Sequence, residues 1–281
     1  NAKDNELDRL NNIYLGLLSK VEIIDGFGKI VSNNEVEVNG NIIKSKKILI
    51  AVGGKPFLPE IKGIDLCINS DQALDLKSLP KKIIINGGGY IALEFASIFA
   101  SFGSDVTLIY RGKNLLRGFD ADISNLIKEE CIKNNIKILT ETQINSVSKT
   151  NNGLSVMLNN KEEIFSNEVM FATGRIPNTS GLGLNELGIK TGKVGEIIVD
   201  KNNKTNKNNI YAIGDVTNRI NLTPVAIAEG QVFSDNFFGG MSKVCDYDNV
   251  ASAVFSQPAI GVVGLNELEA SNLYANDGGI E

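Results

Sequence analysis

Small residues at a fixed spacing in the stretch "INGGGYIALEF" could bind a phosphate group. Gly87, Gly89 and Ala92 fit the pattern G-x-G-x-x-[GA] between an apolar run typical of a strand and a run typical of a helix. In this pattern the first glycine permits a tight turn, the second lets a pyrophosphate approach, and the small third residue lets the helix pack on the strand. The free N–H groups of the helix N-terminus then favour an anion. The spacing predicts a dinucleotide site, and a purely structural turn is the alternative.

Two arginines follow the next apolar stretch, "DVTLIY", at a place where proteins that bind NAD usually carry an acid. Arg111 comes directly after Tyr110, and Arg117 lies a little further along the same loop. Guanidinium groups donate paired, charge-assisted hydrogen bonds to a phosphate, whereas an acid would repel it. We therefore predict that both arginines bind a 2′-phosphate and that the dinucleotide is NADPH. The alternative is that they are solvated surface charges.

A second candidate site lies in "NIYAIGDV", where Gly214 and Asp215 directly follow an apolar strand. A carboxylate at the end of a strand can hold a ribityl or ribose hydroxyl. A helix beginning near Pro224 would direct its N-terminus at the same place and could stabilise negative charge on a flavin ring. The alternative is that Asp215 only caps a turn.

The order of the predicted elements can position these residues. From Lys81 the chain alternates strand (KKIIIN), helix (Tyr90 to Phe102), strand (DVTLIY), helix (from Asp120) and strand (IKILTE). This alternation predicts a parallel α/β sheet of the Rossmann-like kind. Asp120 suits the N-cap of its helix, because a short carboxylate can accept bonds from free N–H groups of the first turn.

The regions on either side of this unit have other patterns. The opening "NELDRLNNIYLGLLSK" predicts a helix, and residues 21–54 predict short strands separated by Gly and Asn turns. The Pro-marked stretch "KPFLPEIKGID" is expected to cross between domains. Further on, "GLSVMLN" and "EEIFSNEVMFATG" predict antiparallel strands, and a long helix is expected from Thr223 to about Phe238. The stretch "VASAVFSQPAIGVVGLNELEA" is predicted to start another β-containing unit.

Composition narrows the class of protein. The chain has 281 residues, 42% apolar content and a net charge of -5, which describes an ordinary acidic globular protein without the basic excess of a nucleic-acid binder. The first residues are too polar for a signal peptide, and no apolar run has the length of a membrane span. These features predict a cytoplasmic protein that binds neither nucleic acid nor membrane.

The thiols and the missing histidines limit the chemistry that this chain can perform. Cys67, Cys131 and Cys245 lie far apart and form no CxxC or CxxxxC pair, so we predict buried structural thiols and no metal site. The chain contains no histidine, which removes the commonest general base.

Together with "KILIAVGGKP" and "VMFATGRIPN", these motifs resemble those of the two-dinucleotide flavoprotein disulfide reductases. More narrowly, "GGGYIALEFASIFASFGSDVTLIYR" and "LLRGFDAD" resemble the glutathione reductases, and the resemblance extends over essentially the whole chain. It implies an oxidoreductase that passes electrons from NADPH through FAD and a cysteine pair to glutathione disulfide, and a homodimer. It also implies an α/β fold in which an NADPH domain is inserted into an FAD domain. The implied boundaries are 1–60 (FAD domain, first part), 61–175 (NADPH domain), 176–246 (FAD domain, second part) and 247–281 (start of an α+β interface domain).

The resemblance also implies roles for individual residues. Tyr90 would be an aromatic lid over the flavin, and Glu94 an acid near the flavin and the nicotinamide. Arg111 and Arg117 match the 2′-phosphate clamp, and Asp215 the ribityl ligand. The remaining implied cofactor-binding positions are Gly174, Arg175, Gly214 and Thr223, the last near the pyrimidine edge of the flavin. The alternatives are a packed helix residue for Tyr90 and a solvated charge for Glu94.

The chain departs from the resemblance at both ends. It contains no upstream FAD-binding turn, no CxxxxC redox pair and no His-Glu pair. These departures predict an internal fragment of a longer protein that is inactive alone, with a degenerate paralogue as the alternative. Other open alternatives are a trypanothione-type reductase, a mercuric reductase, a dihydrolipoamide dehydrogenase-like enzyme and a non-catalytic NADPH/FAD-binding module.

Overall fold

A computed structural model describes residues 2–274 of the chain. The α-helices in this range are α1 (Ala2–Leu17), α2 (Ser70–Leu74), α3 (Tyr90–Ser101), α4 (Ala121–Lys133), α5 (Thr223–Phe237) and α6 (Glu267–Tyr274). The first eight strands are β1 (Gly28–Ser32), β2 (Glu35–Val38), β3 (Asn41–Lys44), β4 (Ile48–Ile50), β5 (Gly54–Pro56), β6 (Lys82–Asn86), β7 (Asp105–Ile109) and β8 (Lys137–Leu139). The others are β9 (Ile144–Thr150), β10 (Gly153–Leu158), β11 (Glu163–Ser166), β12 (Glu168–Phe171), β13 (Arg175–Pro177), β14 (Ile210–Ala212), β15 (Ser252–Val254) and β16 (Ile260–Val262). Short 3₁₀ helices cover Ile64–Leu66 and Gly214–Thr217.

A four-stranded parallel sheet in the order β12-β6-β7-β8 forms the middle of the chain. Its strands are almost continuously apolar because both faces are covered. Ile83 and Ile85 face the core that includes the buried face of α3, whereas Ile84 and Ile109 face the core shared with the β9-β10-β11 sheet. The predicted α/β fold with its strand and helix alternation is confirmed.

Helix α4 begins where the sequence predicted. The Asp120 side chain accepts a hydrogen bond from the Asp122 amide at 2.9 Å, so it caps the helix as expected. Helix α5 also matches the expected start at Thr223.

The stretch "EEIFSNEVMFATG" does not form the expected antiparallel strand. It forms β11, which is antiparallel to β10, and then β12, which is parallel to β6. The break is at Asn167, which exchanges two hydrogen bonds with the Lys82 backbone: its Oδ1 accepts from the Lys82 amide at 2.9 Å, and its amide donates to the Lys82 carbonyl at 3.1 Å. These bonds move the chain from one sheet to the other, which a run of strand-forming residues does not indicate.

A separate apolar core contains the paired parallel strands β4 and β14, together with Ile30 of β1 and Ile197. The expected short strands of the first part are present, with β1, β2 and β3 in one antiparallel sheet. Strands β5 and β13 pair antiparallel, with Arg175 opposite Pro56. The residues between these two strands, 57–174, include the whole parallel sheet, so the chain leaves and returns to the β4–β14 core at one place.

The two ends of the described chain pack differently. Helix α1 forms as predicted, but every residue in it is exposed. The hairpin β15–β16 forms in the predicted β-containing unit, and Val254 joins the core beside α3. The last part of the predicted interface domain, residues 275–281, lies outside the described residues.

Candidate functional site

The glycine turn joins β6 to α3, and Gly87 packs closely against the neighbouring backbone. The Gly87 amide donates to the Ile109 carbonyl at 2.9 Å, which ties the turn to the end of β7. A Cβ at Gly87 would lie 2.3 Å from the Ala172 carbonyl oxygen and 3.1 Å from the Ala92 Cβ, so only glycine fits this close approach. Ala92 is fully buried between helix and sheet. In contrast, a Cβ at Gly89 would meet nothing within 4 Å, so the space over the N-terminus of α3 is open.

The loop that carries the two arginines is fixed on this turn. Leu115 and Leu116 are buried, and the Leu116 amide donates to the Gly88 carbonyl at 2.7 Å. Arg111 and Arg117 are exposed, and neither guanidinium forms a hydrogen bond or ion pair with a residue between 2 and 274. Two unpaired cations are therefore held beside an open helix N-terminus, an arrangement that attracts an anionic ligand.

Three motifs that are distant in sequence meet around Asp215. Strand β14 is buried and delivers Asp215 in the first turn of the 3₁₀ helix that follows. Arg175 places its Nε 3.9 Å from Asp215 Oδ2 and donates from Nη2 to the Gly54 carbonyl. A Cβ at Gly54 would lie 3.4 Å from the Asp215 Cβ. The Asp215 carboxylate, the Arg175 guanidinium and the backbone of Gly54 are thus in contact with one another.

Tyr90 and Glu94 lie in the first two turns of α3, and the Tyr90 side chain is partly buried, with 37% of its surface exposed. Burial raises the pKa of the Tyr90 phenol, the nearby carboxylates of Asp215 and Glu94 raise it further, and the charge of Arg175 opposes them. These interactions bring four of the sequence-predicted residues into one electrostatic environment. Glu94 is half-buried, and its Oε1 accepts a hydrogen bond from the Phe255 amide at 2.9 Å, so it is not simply a solvated charge.

Thr223 and Gly174 lie at the edge of the cluster. Thr223 is exposed at the start of α5, whose N-cap residue, Leu222, offers no side-chain hydrogen bond to the first turn. The helix itself is close to the motif, since a Cβ at Gly214 would lie 3.2 Å from the Ala226 Cβ. Gly174 is exposed, and its carbonyl accepts from the Phe57 amide at 2.9 Å. In the first turn of α5, Pro224 carries no N–H and the Val225 amide donates to the Leu222 carbonyl at 3.0 Å, so the Thr223 amide and the helix dipole are what can favour negative charge there.

A buried network behind Gly214 was not predicted from the sequence. Glu229 of α5 is 1% exposed; its Oε2 accepts from the Gly214 amide at 2.6 Å, and its Oε1 accepts from the Tyr247 hydroxyl at 2.5 Å. Arg219 donates to the Tyr247 hydroxyl and lies 3.6 Å from Glu229 Oε1. The one sequence signal was a glutamate among small and apolar residues in "TPVAIAEGQVF". Gly54, the first residue of β5, was also missed, although it lies within the quoted motif "KILIAVGGKP".

Cys67 and Cys131 lie in the two cores on either side of the parallel sheet, whereas Cys245 lies beside Tyr247 of the Glu229 network. All three are free and buried, as predicted. Burial raises the pKa of Cys67 to about 12 and that of Cys131 to about 11, which keeps both thiols protonated and unreactive. Among residues 2–274, no group of three or more Cys, Asp or Glu side chains is arranged to hold a metal ion. None of the helices described for this range is long and apolar enough to span a membrane.

The motifs and the fold match those of known proteins. The family model described as "Pyridine nucleotide-disulphide oxidoreductase" matches residues 1–230. The chain belongs to this family. Its similar relatives include the chloroplastic/mitochondrial glutathione reductase of Pisum sativum, 46% identical over 278 residues, and the glutathione reductase of Burkholderia cepacia, 43% identical over 277 residues. The glutathione reductase of Nostoc sp. is 40% identical over 288 residues.

The fold is also similar to that of solved flavoprotein disulfide reductases. The HOCl-induced flavoprotein disulfide reductase RclA from Escherichia coli superposes with a TM-score of 0.92 at 30% identity, covering 96% of this chain and 64% of that one. A Cu(II) complex of RclA gives the same TM-score. The resemblance inferred from the motifs is confirmed. Each of the three alignments with a glutathione reductase includes 98% of this chain. The same alignments include only 50% of the Pisum sativum protein, 62% of the Burkholderia cepacia protein and 63% of the Nostoc protein.

Proposed function

We propose that the glycine turn and the arginine loop bind NADPH. The observation that carries this proposal is the pair of unpaired guanidinium groups, Arg111 and Arg117, on a loop bonded to the turn through Leu116 and Gly88. The pyrophosphate would lie over Gly89, where the backbone N–H groups are open to it, and the 2′-phosphate would lie between the arginines. An acid that would repel this phosphate is not found at the end of β7.

We infer further that the cluster around Asp215 binds FAD. Asp215 would accept hydrogen bonds from ribityl hydroxyls, while Arg175 compensates its charge and Gly54 allows close approach. The uncapped N-terminus of α5, with Thr223 and Gly214, would stabilise negative charge on the flavin. Tyr90 would cover the flavin face, and Glu94 would contribute a carboxylate beside it. When bound, the two cofactors supply the hydride and electron transfer, and the protein orients them and excludes water.

The proposed domain arrangement follows from these two sites. Residues 1–60 and 176–246 would form the FAD domain, 61–175 the inserted NADPH domain, and 247–281 the start of an interface domain. The pairing of β5 with β13, where the chain leaves and returns to one core, supports the insertion. Tyr90 would stand between the two sites, because it begins the helix of the glycine turn and the charge of Asp215 contributes to its raised pKa.

We propose that the whole protein reduces glutathione disulfide with electrons from NADPH. Support comes from the relatives at 40–46% identity, whose names state this activity. The proposal includes a cytoplasmic location, where a reducing environment suits the free thiols. A homodimer is proposed because the chain from residue 247 exposes large apolar side chains that another subunit could cover. They include Phe255, Val263, Leu268 and Leu273.

Absorption spectroscopy, an NADPH-oxidation assay and size-exclusion chromatography test this function. The purified whole protein should show a flavin absorption spectrum and should oxidise NADPH when glutathione disulfide is added, with NADH a poor substitute. The 281-residue chain alone should not consume NADPH above background, because it contains no CxxxxC pair and no histidine. A whole protein that binds no flavin, or that ignores glutathione disulfide while reducing another disulfide, would contradict the corresponding part of the proposal. Size-exclusion chromatography that gives a monomer at micromolar concentration would contradict the dimer.

A further inference from the structure

The Tyr110 ring lies between two glycines that leave it no spare room. A Cβ at Gly88 would lie 2.5 Å from the ring Cγ and 2.6 Å from Cδ1 and Cδ2. A Cβ at Gly112 would lie 2.6 Å from Cε1 and 2.8 Å from Cζ. Such separations are far inside carbon–carbon contact distance. The ring therefore fills the space that a side chain at either position would need.

The backbone around the ring is fixed on every side. The Tyr110 amide donates to the Leu139 carbonyl at 2.9 Å, and the Glu141 amide donates to the Gly112 carbonyl at 3.0 Å. The bond from Leu116 to Gly88 closes the loop on the opposite side at 2.7 Å. The Tyr110 hydroxyl has no hydrogen-bond partner among the residues that the structure describes. The side chain thus acts through the shape of its ring and not through its polar group.

This ring separates the two parts of the proposed NADPH site. Gly88 belongs to the turn that would hold the pyrophosphate. Arg111 directly follows Tyr110, and Arg117 directly follows the Leu116 that is bonded to the turn. The thickness of the ring consequently sets the distance between the glycine turn and the Arg111 end of the loop, whereas the hydrogen bond from Leu116 to Gly88 fixes the Arg117 end.

We propose that Tyr110, size-matched to Gly88 and Gly112, is a specificity-determining residue that holds Arg111 and Arg117 at the spacing required by the 2′-phosphate. The inference rests on the proposed NADPH site and adds a residue that touches neither phosphate. It makes a coupling prediction: a methyl group at position 88 is harmful because the ring is present. Removing the ring should therefore reduce the harm done by that methyl group.

The test is a double-mutant cycle with both nucleotides. NADPH and NADH are titrated by isothermal calorimetry against the whole protein and against its variants Gly88→Ala, Tyr110→Ala, the double variant and Tyr110→Phe. Tyr110→Ala should weaken NADPH binding about 10-fold and NADH binding less than about 3-fold, and Tyr110→Phe should match the unmodified chain. Gly88→Ala should weaken NADPH binding about 10-fold in the unmodified chain but less than about 3-fold in the Tyr110→Ala background.

Each other outcome overturns a defined claim. Independent effects of the two substitutions would refute the size matching, and equal losses of NADPH and NADH would refute the role in specificity. An unmodified chain that binds NADPH no better than NADH would refute the proposed function itself. The size matching remains testable in that case from the thermal unfolding midpoints of the same variants, which should show the same non-additivity. Tyr110→Leu, which keeps an apolar contact without the ring, replaces Tyr110→Ala in the specificity comparison if the latter does not fold.

Discussion

Removing the Glu229 carboxylate should destabilise the turn that carries Asp215. Glu229→Ala leaves the half-buried Gly214 amide and the Tyr247 hydroxyl without their acceptor, and it removes the carboxylate 3.6 Å from Arg219. Breaking a buried pair in this way costs about 3–5 kcal/mol. Arg219 keeps other partners, including the Asp200 carbonyl at 2.6 Å, so we expect the lower value, about 3 kcal/mol. Glu229→Gln keeps an acceptor for Gly214 and should cost about 1–2 kcal/mol.

Thermal unfolding followed by circular dichroism measures this effect. At about 2–4 °C per kcal/mol, Glu229→Ala should lower the midpoint by about 6–12 °C and Glu229→Gln by a smaller amount. Glu186→Gln is the matched control, because Glu186 lies in an exposed pair 3.8 Å from Lys29 and should change the midpoint by less than about 2 °C. A midpoint for Glu229→Ala that equals the control would refute the reasoning, since the network would then carry no net stability.

Three further predictions concern the cofactor sites and the thiols. Asp215→Ala in the whole protein should weaken flavin retention by about 1.5–3 kcal/mol while NADPH binding is kept, as judged by flavin release on dilution; unchanged retention would argue against the FAD assignment. Gly87→Ala should lower the free energy of unfolding by about 1–3 kcal/mol, because its Cβ would collide with the Ala172 backbone. Gly89→Ala should preserve the unfolding midpoint but weaken NADPH binding, and identical effects of the two substitutions would contradict the separate roles of the two glycines. Cys67 and Cys131 should react with a thiol reagent at pH 8 only after unfolding. Their raised folded-state pKa values also predict full stability below about pH 9 and a loss as pH rises toward about 12, because the unfolded chain releases these protons first. Rapid labelling of the folded chain would refute the burial argument.

The parallel sheet could be predicted because its signals are local. Strand β6, the glycine turn and α3 follow one another in the sequence, and the Asp120 cap lies beside the helix it caps. The break at Asn167 could not be predicted in the same way. It depends on hydrogen bonds with Lys82, a residue that is remote in sequence and adjacent only once both sheets have formed.

The candidate site shows the same division. The spacing of Gly87, Gly89 and Ala92 carried the phosphate prediction, because each role depends on residue size at a fixed offset. The family resemblance implied that Arg175 and Asp215 each bind a cofactor, but it did not predict their contact, since no local pattern connects the two motifs. Glu229 was missed because the role of a buried acid in a helix depends on its hydrogen-bond partners, and here these are Gly214 and Tyr247 on other segments.

Titration of NADPH and NADH against the arginine variants tests the central claim most directly. The variants are Arg111→Ala, Arg117→Ala and the double substitution, with Lys113→Ala as the control because it removes an exposed cation from the same loop. Each arginine should contribute about 1.5–3 kcal/mol to NADPH binding, so each loss should weaken it about 10- to 100-fold, with NADH and the control nearly unchanged. The effect should shrink at high salt, because exposed charges are screened over about 8 Å at physiological ionic strength. Equal losses for the two nucleotides, or a preference of the unmodified protein for NADH, would contradict the account.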